Sequence, residues 1–264
     1  MPSSILLRPV PYCVMLPPSY TRDAARQYPV SYFLHGIGDS EQALVNLSDW
    51  GIYDQLLDQR AVGEFVIIAP FGFTSFYINS HHGRFRYEDF FLGEFLPAME
   101  RRYRIDSTGA QRGIMGVSMG GYGALHYAFQ YPRKFAAVSA TMPALMDRPP
   151  REPADPLLRD ALAAVFGNPP DPAFFAQNSP MNLARLAPMA AMRRLTIYFD
   201  CGDKDRYGFD RTVTQLDKLL AKRGIMHEAH IYSGGHNWRF VEQHLDAALK
   251  AQSRGLGAKN TTSK

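Results

Sequence analysis

The sequence predicts an α/β domain in which a mainly parallel sheet carries helices on both faces. Short apolar runs of strand length alternate with helical patterns along the 264 residues, which is typical of parallel strands joined by helical crossovers. Glycine-rich turns follow the C-terminal ends of several predicted strands, the edge at which such folds bind ligands. No internal repeat or linker separates two cores, so we expect one domain over residues 1–264.

Seven strands and seven helices are predicted in chain order. The strands are apolar runs stopped by proline or glycine, and the helices end at breakers such as Pro132 and Gly224. Strands are expected at residues 11–16, 29–34, 65–69, 110–117, 135–140, 195–199 and 226–232. Helices are expected at residues 48–59, 87–103, 122–131, 156–166, 171–177, 209–223 and 239–251.

Three segments depart from this alternation. Residues 71–85 are irregular and rich in aromatic residues. We expect residues 71–86 to border a pocket, and the alternative is that their side chains only pack the loop. Residues 141–190 are rich in proline and interrupt the strand pattern, which is typical of a cap over the C-terminal edge of a sheet. Residues 253–264 are polar and are expected to form a disordered tail.

Composition and charge exclude several classes of protein. A hydrophobic content of 46% and a charged content of 20% describe an ordinary globular chain. The net charge of +4 is scattered, without a basic stripe interleaved with aromatic residues, so no nucleic-acid partner is expected. No window approaches the roughly 18 apolar residues of a membrane span, so no membrane partner is expected.

The N-terminus and the two cysteines bear on the compartment. The first nine residues have neither the basic start nor the apolar run of a signal peptide, so the chain as written predicts a cytoplasmic protein. A secreted protein trimmed to its mature form would read the same. Cys13 and Cys201 belong to no C-x-x-C pair, which leaves two buried thiols or one disulfide and gives no zinc signature.

The pattern Gly116-x-Ser118-x-Gly120 marks the predicted nucleophile. An apolar strand precedes it and a helix follows it, which is the context that a nucleophile elbow requires. At such a corner the serine is exposed in a strained backbone conformation, and its neighbours must be small because a Cβ atom would collide with the adjoining strand. We therefore predict that Ser118 is a catalytic nucleophile.

A serine hydroxyl needs a base to take its proton and a carboxylate to orient that base. Where the serine lies at a nucleophile elbow, the carboxylate and then the base follow it along the chain. Of the later histidines, His236 lies in a glycine-flanked loop after the last predicted strand, and we predict it as the base. For the acid we favour Asp205, which lies far enough from its strand to reach an imidazole. Asp203 in the same turn remains the alternative.

The negative oxygen of a tetrahedral intermediate needs two hydrogen-bond donors placed in advance. One is expected from the backbone N–H of Met119, directly after the nucleophile. The other is expected from the turn after an early strand, His35-Gly36-Ile37-Gly38, where we choose the N–H of Ile37 and keep Gly38 as the second choice.

With these residues in place, the chain resembles the esterase D group of α/β-hydrolases. The resemblance is carried by VMLPPSY (14–20), YFLHGIG (32–38), GVSMGGYGA (116–124), DCGDKD (200–205) and GGHNW (234–238). It implies an α/β-hydrolase fold, the triad Ser118, Asp205 and His236, and an oxyanion hole made by the amides of Ile37 and Met119. It also implies an enzyme that needs neither a metal nor an organic cofactor.

The resemblance further suggests the substrate. The turn at residues 35–39 departs from that of S-formylglutathione hydrolases and is closer to feruloyl, acetyl-xylan and tributyrin-type esterases. We expect a serine esterase that cleaves short-chain acyl or aryl esters of small molecules, with Phe76, Tyr77, Asn79 and Trp238 as substrate-binding residues. An acyltransferase or thioesterase using the same triad is the alternative, and a non-catalytic binding protein is a remote one. The sequence does not indicate an oligomeric state.

Overall fold

A central sheet of seven strands organises the computed structural model, which describes residues 1–46, 49–148 and 155–259. A separate hairpin pairs β1 (Pro2–Ser3) with β2 (Arg8–Pro9). The strands of the main sheet are β3 (Tyr12–Met15), β4 (Val30–Leu34), β5 (Val66–Pro70), β6 (Arg112–Val117), β7 (Ala137–Thr141), β8 (Thr196–Lys204) and β9 (Glu228–Gly235). They lie in the order β3-β5-β4-β6-β7-β8-β9, and among them only β3 is antiparallel to its neighbour. The predicted mainly parallel sheet is confirmed.

Helices cover both faces of this sheet, as predicted. They are α1 (Ala43–Asn46), α2 (Asp49–Asp58), α3 (Tyr87–Phe90), α4 (Leu96–Arg102), α5 (Met119–Gln130), α6 (Pro156–Phe166), α7 (Pro172–Asn178), α8 (Pro180–Leu186), α9 (Met189–Met192), α10 (Phe209–Lys222) and α11 (Trp238–Gly255). A π-helical segment, Phe91–Phe95, joins α3 to α4, and a 3₁₀ turn, Gly109–Gln111, precedes β6. Helix α11 lies on one face with α2 beside it, and α5 and α10 lie on the other face with α8 packed against both.

The inner strands are buried on both faces, which explains their nearly continuous apolar sequence. Every residue of β4, β5, β6 and β7 is buried, as expected for parallel strands covered by helices on two sides. Strands β8 and β9 continue beyond their predicted ends because their polar final residues still pair with each other, as far as Lys204 opposite Gly235. The pairing places Asp205 and His236 directly after two adjacent strand ends.

Gln252 of α11 fastens this helix to three strands through its side-chain amide. The amide nitrogen donates to the carbonyl oxygen of Ile114 at 3.0 Å and to the hydroxyl of Ser139 at 2.9 Å. The amide oxygen accepts from the hydroxyl of Ser31 at 2.9 Å. Gln252 is fully buried, and its amide satisfies its own polar atoms while joining α11 to buried polar groups of three strands.

The predicted disordered tail is wrong for its first seven residues. Helix α11 continues to Gly255, and the side chain of Leu256 is fully buried. Ser253 accepts a hydrogen bond from the N–H of Gly63, and the carbonyl oxygen of Lys259 accepts one from the N–H of Glu64. The polar composition concealed these contacts with the segment before β5. Residues 260–264 lie outside the described residues.

The proline-rich segment at residues 141–190 folds into α6, α7, α8 and α9, with residues 149–154 outside the described ranges. The two predicted helices in this segment are confirmed as α6 and α7, within one residue at each end. Tyr122 of α5 donates to the carbonyl oxygen of Asn178 at 2.8 Å, which joins α7 to the helix behind the elbow. No helix in the described ranges is both long and apolar enough to cross a bilayer.

Candidate active site

Ser118 lies at the corner between β6 and α5, with backbone angles of φ 55° and ψ −115°. This is a region that residues with a side chain rarely adopt. Three backbone hydrogen bonds hold it there. Its N–H donates to the carbonyl oxygen of Thr141 at 3.0 Å, and its carbonyl oxygen accepts from the N–H groups of Tyr122 and Ala144. The surrounding structure therefore imposes the strained conformation that the elbow pattern predicts.

The glycines beside Ser118 are required by packing. A Cβ atom on Gly120 would lie 1.9 Å from the carbonyl oxygen of Leu34, and one on Gly116 would lie 2.4 Å from the backbone of Gly120. Both obstacles are backbone atoms, so no side-chain rotation could relieve the collision. Strand β4 and helix α5 thus approach too closely at the corner for any residue larger than glycine.

A chain of two hydrogen bonds joins the three residues predicted as the triad. The hydroxyl of Ser118 lies 2.9 Å from Nε2 of His236, and Nδ1 of His236 lies 2.7 Å from Oδ2 of Asp205. An ionised carboxylate can only accept a hydrogen bond, so Nδ1 of His236 must carry the ring proton. Nε2 is then unprotonated and can accept the proton of the serine hydroxyl. The three residues follow β6, β8 and β9, so the edge of the sheet brings them together from distant positions in the chain.

The carboxylate of Asp205 is fully buried and has three partners. Besides His236, it accepts from the N–H of Tyr207 at 2.8 Å and from the thiol of Cys201 at 3.3 Å. Burial raises the pKa of Asp205, but the hydrogen bond and charge of His236, with the other two donors, outweigh burial and hold that pKa below its usual value. The carboxylate therefore stays ionised.

The alternative acid, Asp203, lies near the end of β8. Its exposed carboxylate accepts from the N–H of Gly234 at 2.9 Å, which links the ends of β8 and β9. Of the two carboxylates that the sequence left open, the structure brings Asp205 into contact with His236.

Two aromatic residues that the sequence reasoning missed enclose the imidazole. The ring of Tyr207 stands edge-on to His236 with centroids 4.9 Å apart, and the ring of Phe209 lies 5.7 Å away. The side chain of His236 is left with 10% of its surface exposed. Tyr207 and Phe209 lie two and four residues after Asp205, in the segment that follows β8. This closeness to the acid in the sequence is a signal that could have identified them.

Ile37 and Met119, whose backbone amides are predicted to form the oxyanion hole, line the same cleft as Ser118. Met119 begins α5, where N–H groups lack partners within the helix. In the described part of the chain neither amide donates to a protein acceptor. Both residues line a narrow cleft together with Ser118, whereas Gly38, the second choice, lines neither that cleft nor the larger cavity beside it.

His35 holds the turn that carries Ile37. Its Nδ1 lies 2.7 Å from the carbonyl oxygen of Gly36, and its Nε2 accepts from the N–H of Gly72 at 2.8 Å. Burial lowers the pKa of His35 to about 4, so the ring is neutral near pH 7 and can accept at Nε2 while donating at Nδ1. The turn after β4 is thereby fixed to the turn after β5.

Two cavities meet at Ser118. The larger, which we call the polar cavity, has a volume of about 310 Å³ and is lined by Gly36, Ile37, Asp39, Val117, Ser118, Met142, Arg206, Tyr207, His236, Asn237, Trp238 and Val241. The smaller, which we call the narrow cleft, has a volume of about 10 Å³ and is lined by Ile37, Phe76, Ser118, Met119, Ala144, Leu158, Tyr207 and Phe209. A volume of that size holds about one water molecule.

The four residues predicted to bind substrate divide into two pairs. Phe76 lines the narrow cleft and Trp238 lines the polar cavity. Tyr77 lines neither, because it is fully buried and its hydroxyl donates to the carbonyl oxygen of His35 at 3.0 Å. Asn79 also lines neither, since it exchanges hydrogen bonds with Asp89 at the start of the helix that follows. Their positions do not support substrate contact for Tyr77 and Asn79.

The described residues contain no cluster of metal ligands and no disulfide. No group of three or more His, Cys, Asp or Glu side chains there is placed to hold a metal ion. Cys13 and Cys201 are free thiols, the first half-buried and the second buried.

Comparison with known proteins places this chain among esterases. A family model described as "Putative esterase" matches residues 3–251. Esterase Rv1288 of Mycobacterium tuberculosis is 28% identical over 271 residues, which cover 93% of this chain and 57% of that protein. The chain therefore spans little more than half the length of this relative.

Solved structures share the fold over nearly the whole chain. A ferulic acid esterase superposes with a TM-score of 0.83 at 27% identity, covering 97% of this chain and 96% of its own. FphF, a fluorophosphonate-binding serine hydrolase of Staphylococcus aureus, superposes with a TM-score of 0.79 at 18% identity, covering 96% of each chain. The predicted α/β-hydrolase fold is confirmed.

Proposed function

The chain belongs to the esterase family, and from that premise we propose that it is a serine carboxylic ester hydrolase acting through an acyl-serine intermediate. The observation that carries the proposal is the hydrogen-bond chain from the hydroxyl of Ser118 through His236 to the buried carboxylate of Asp205. It lies where two cavities meet, so an ester could reach the hydroxyl.

In the acylation step Ser118 attacks the ester carbonyl carbon while Nε2 of His236 takes the hydroxyl proton. The resulting imidazolium is stabilised by the carboxylate of Asp205, which stays ionised. The carbonyl oxygen becomes negative and accepts from the backbone amides of Ile37 and Met119. A removed oxyanion donor typically costs about 3 to 4 kcal/mol of transition-state stabilisation.

The tetrahedral intermediate collapses when its ester C–O bond breaks and His236 returns the proton to the departing alcohol oxygen. Water then takes the place of the alcohol. His236 removes a proton from it as it attacks the acyl-serine, and the second collapse releases a carboxylic acid and restores Ser118. All proton transfers use Nε2 of His236, the ring nitrogen that faces the serine.

A fluorophosphonate probe and p-nitrophenyl acetate test this proposal together. We expect the probe to label the wild-type protein covalently, and the Ser118→Ala variant to lose labelling and nearly all esterase activity. Ser139→Ala is the matched control, because Ser139 is a buried serine on the neighbouring strand that lines neither cavity. Labelling that persists in Ser118→Ala would mean that another residue is the nucleophile.

A further inference from the structure

Tyr207 contacts two members of the triad from the segment that follows β8. Its backbone N–H donates to Oδ1 of Asp205 at 2.8 Å, whereas His236 lies against Oδ2 of the same carboxylate. The ring of Tyr207 stands perpendicular to the imidazole of His236, at an interplanar angle of 90° and with centroids 4.9 Å apart. One residue therefore touches both the acid and the base.

The hydrogen bond to Asp205 holds the imidazole of His236 at only one ring atom, Nδ1. The χ2 torsion of histidine has no narrow preferred value, so packing against the ring must restrict its rotation. A rotation would carry Nε2 away from the hydroxyl of Ser118, which lies 2.9 Å from it. The ring of Tyr207 limits this movement on the side that it occupies, provided that Tyr207 is itself held in place.

The hydroxyl of Tyr207 anchors its ring to two other side chains. It donates to Oδ2 of Asp155 at 2.7 Å and accepts from Nη2 of Arg206 at 2.8 Å. Arg206 is exposed, so water competes for its hydrogen bond. Asp155 is half-buried and belongs to the proline-rich segment, 52 residues before Tyr207 in the chain. The stronger of the two anchors thus comes from a distant part of the chain.

Asp155 is fixed at the start of α6 by its role as the helix cap. Its Oδ1 accepts from the N–H groups of Leu157 at 2.9 Å and Leu158 at 3.2 Å, which leaves Oδ2 for Tyr207. The hydrogen bond from Tyr207, followed by those from the two amides, holds the pKa of Asp155 below its usual value. The acceptor is therefore an ionised carboxylate, which binds a hydroxyl more strongly than a neutral acceptor does.

We propose that Tyr207 is a positioning residue for the triad and that Asp155 holds it, so that the proline-rich segment stabilises the orientation of His236. The inference rests on the ester hydrolysis proposed above and adds to it a residue that acts on the chemical step from outside the site. Asp155 lines neither the polar cavity nor the narrow cleft. Its effect on the reaction passes through Tyr207.

Asp155→Ser tests this link with little disturbance of α6. Serine is as good a helix cap as aspartate, but its shorter side chain cannot also reach Tyr207. We expect kcat for p-nitrophenyl acetate to fall about 3- to 30-fold with KM unchanged, since a displacement of about 1 Å can cost about 100-fold. The rate constant for fluorophosphonate labelling should fall by the same factor, because both reactions need His236 to take the proton of Ser118.

Asp171→Ser is the matched control for that substitution. Asp171 caps α7 in the same segment by accepting from the N–H of Phe174 at 2.7 Å, and it lines neither cavity. Its replacement should leave kcat and the labelling rate unchanged. Equal losses in the two variants would show that the segment affects the reaction only through its general stability, and would overturn the inference.

Tyr207→Phe removes the hydroxyl and keeps the ring, which allows a double-mutant cycle with Asp155→Ser. If Asp155 acts through this hydroxyl, kcat of the double variant should equal that of either single variant, whereas independent effects would multiply. Multiplying effects overturn the inference, as does a wild-type kcat in Asp155→Ser. A wild-type protein that hydrolyses no ester and is not labelled at Ser118 fails the proposed function, and this inference with it. An active, labelled wild type with an equally active Asp155→Ser contradicts only the inference.

Discussion

Replacing Asp200 with asparagine should stabilise the protein at high pH and leave it nearly unchanged at low pH. Asp200 is a fully buried residue of β8, and its Oδ2 accepts from the hydroxyl of Tyr198 at 2.6 Å. Burial raises the pKa of Asp200 to about 7, and hydrogen bonds from the hydroxyls of Tyr198 and Thr141 and from the N–H of Met142 oppose the rise only in part.

The direction follows from comparing the folded and unfolded chains. An unfolded aspartate has a pKa of about 3.9, so below that pH both states are protonated and the group carries no penalty. As the pH rises from about 4 to 7, the unfolded chain ionises freely while the folded protein retains its proton, and stability falls. Raising the pKa of Asp200 from about 3.9 to about 7 corresponds to a loss of up to about 4 kcal/mol of stability at pH 7 and above.

Asparagine keeps an acceptor for Tyr198 and carries no charge at any pH. At pH 8 we expect Asp200→Asn to be more stable by up to about 4 kcal/mol, or up to about 10 °C in Tm for a chain of this size. At pH 4.5 the difference should shrink to about 1 kcal/mol or less. Urea unfolding followed by circular dichroism at several pH values measures both.

The control is Asp160→Asn, since the side chain of Asp160 is 79% exposed and should show no such dependence on pH. A difference between Asp200→Asn and wild type that is constant with pH would refute the reasoning, because burial of an ionisable group predicts a difference that grows as pH rises. A variant that is less stable than wild type at pH 8 would refute it as well.

Three further predictions concern the triad and the elbow. Asp205→Asn should lower kcat by about 10⁴-fold because the imidazole would adopt the wrong tautomer. The kcat of Asp203→Asn should stay within about threefold of the wild-type value. The reverse order of the two effects would identify Asp203 as the acid. Cys201→Ala should lower kcat about three- to tenfold with KM unchanged, because the carboxylate of Asp205 loses a hydrogen-bond donor. Cys201→Ser keeps a donor and should restore kcat. Equal losses of kcat in both variants would mean that Cys201 acts through packing instead. Gly120→Ala should destabilise the protein to urea by about 3 kcal/mol or more, whereas Gly51→Ala, which has open space around it, should be neutral or stabilising.

Features with a local cause were predictable from the sequence. The strand, corner and helix around Ser118 follow from neighbouring glycines and apolar residues, and the inner strands follow from runs that stay apolar because both of their faces are buried. The ends of the two strands that precede Asp205 and His236 were predicted five and three residues too early, at residues 199 and 232, because the last residues of β8 and β9 are polar or glycine. The π-helical segment at Phe91–Phe95 had no local signal, and the predicted helix at residues 87–103 describes it only as a regular helix.

The walls of the cavities could not be predicted because they depend on how distant segments meet. Leu158 of α6, forty residues after Ser118 in the chain, lines the same narrow cleft as Ser118, and no pattern within that helix marks the leucine. Tyr77 and Asn79 lie in an aromatic loop that does border the site, but the backbone of this loop takes positive φ angles at Phe76 and Tyr77, 51° and 61°. These turns send Tyr77 inward and leave Phe76 at the cleft.

The position of Gln252 bears on how the chain is made. Its amide joins Ser31, 221 residues earlier, and Ser139, 113 residues earlier, so the contacts of α11 cannot form until all seven strands of the sheet have left the ribosome. Such long separations slow folding, because distant segments must meet before any contact is gained. A nascent chain that stops before α11 exposes the part of the sheet face that α11 covers over β6, β7 and β8, including the hydroxyl of Ser139, and apolar surface left open in this way favours aggregation.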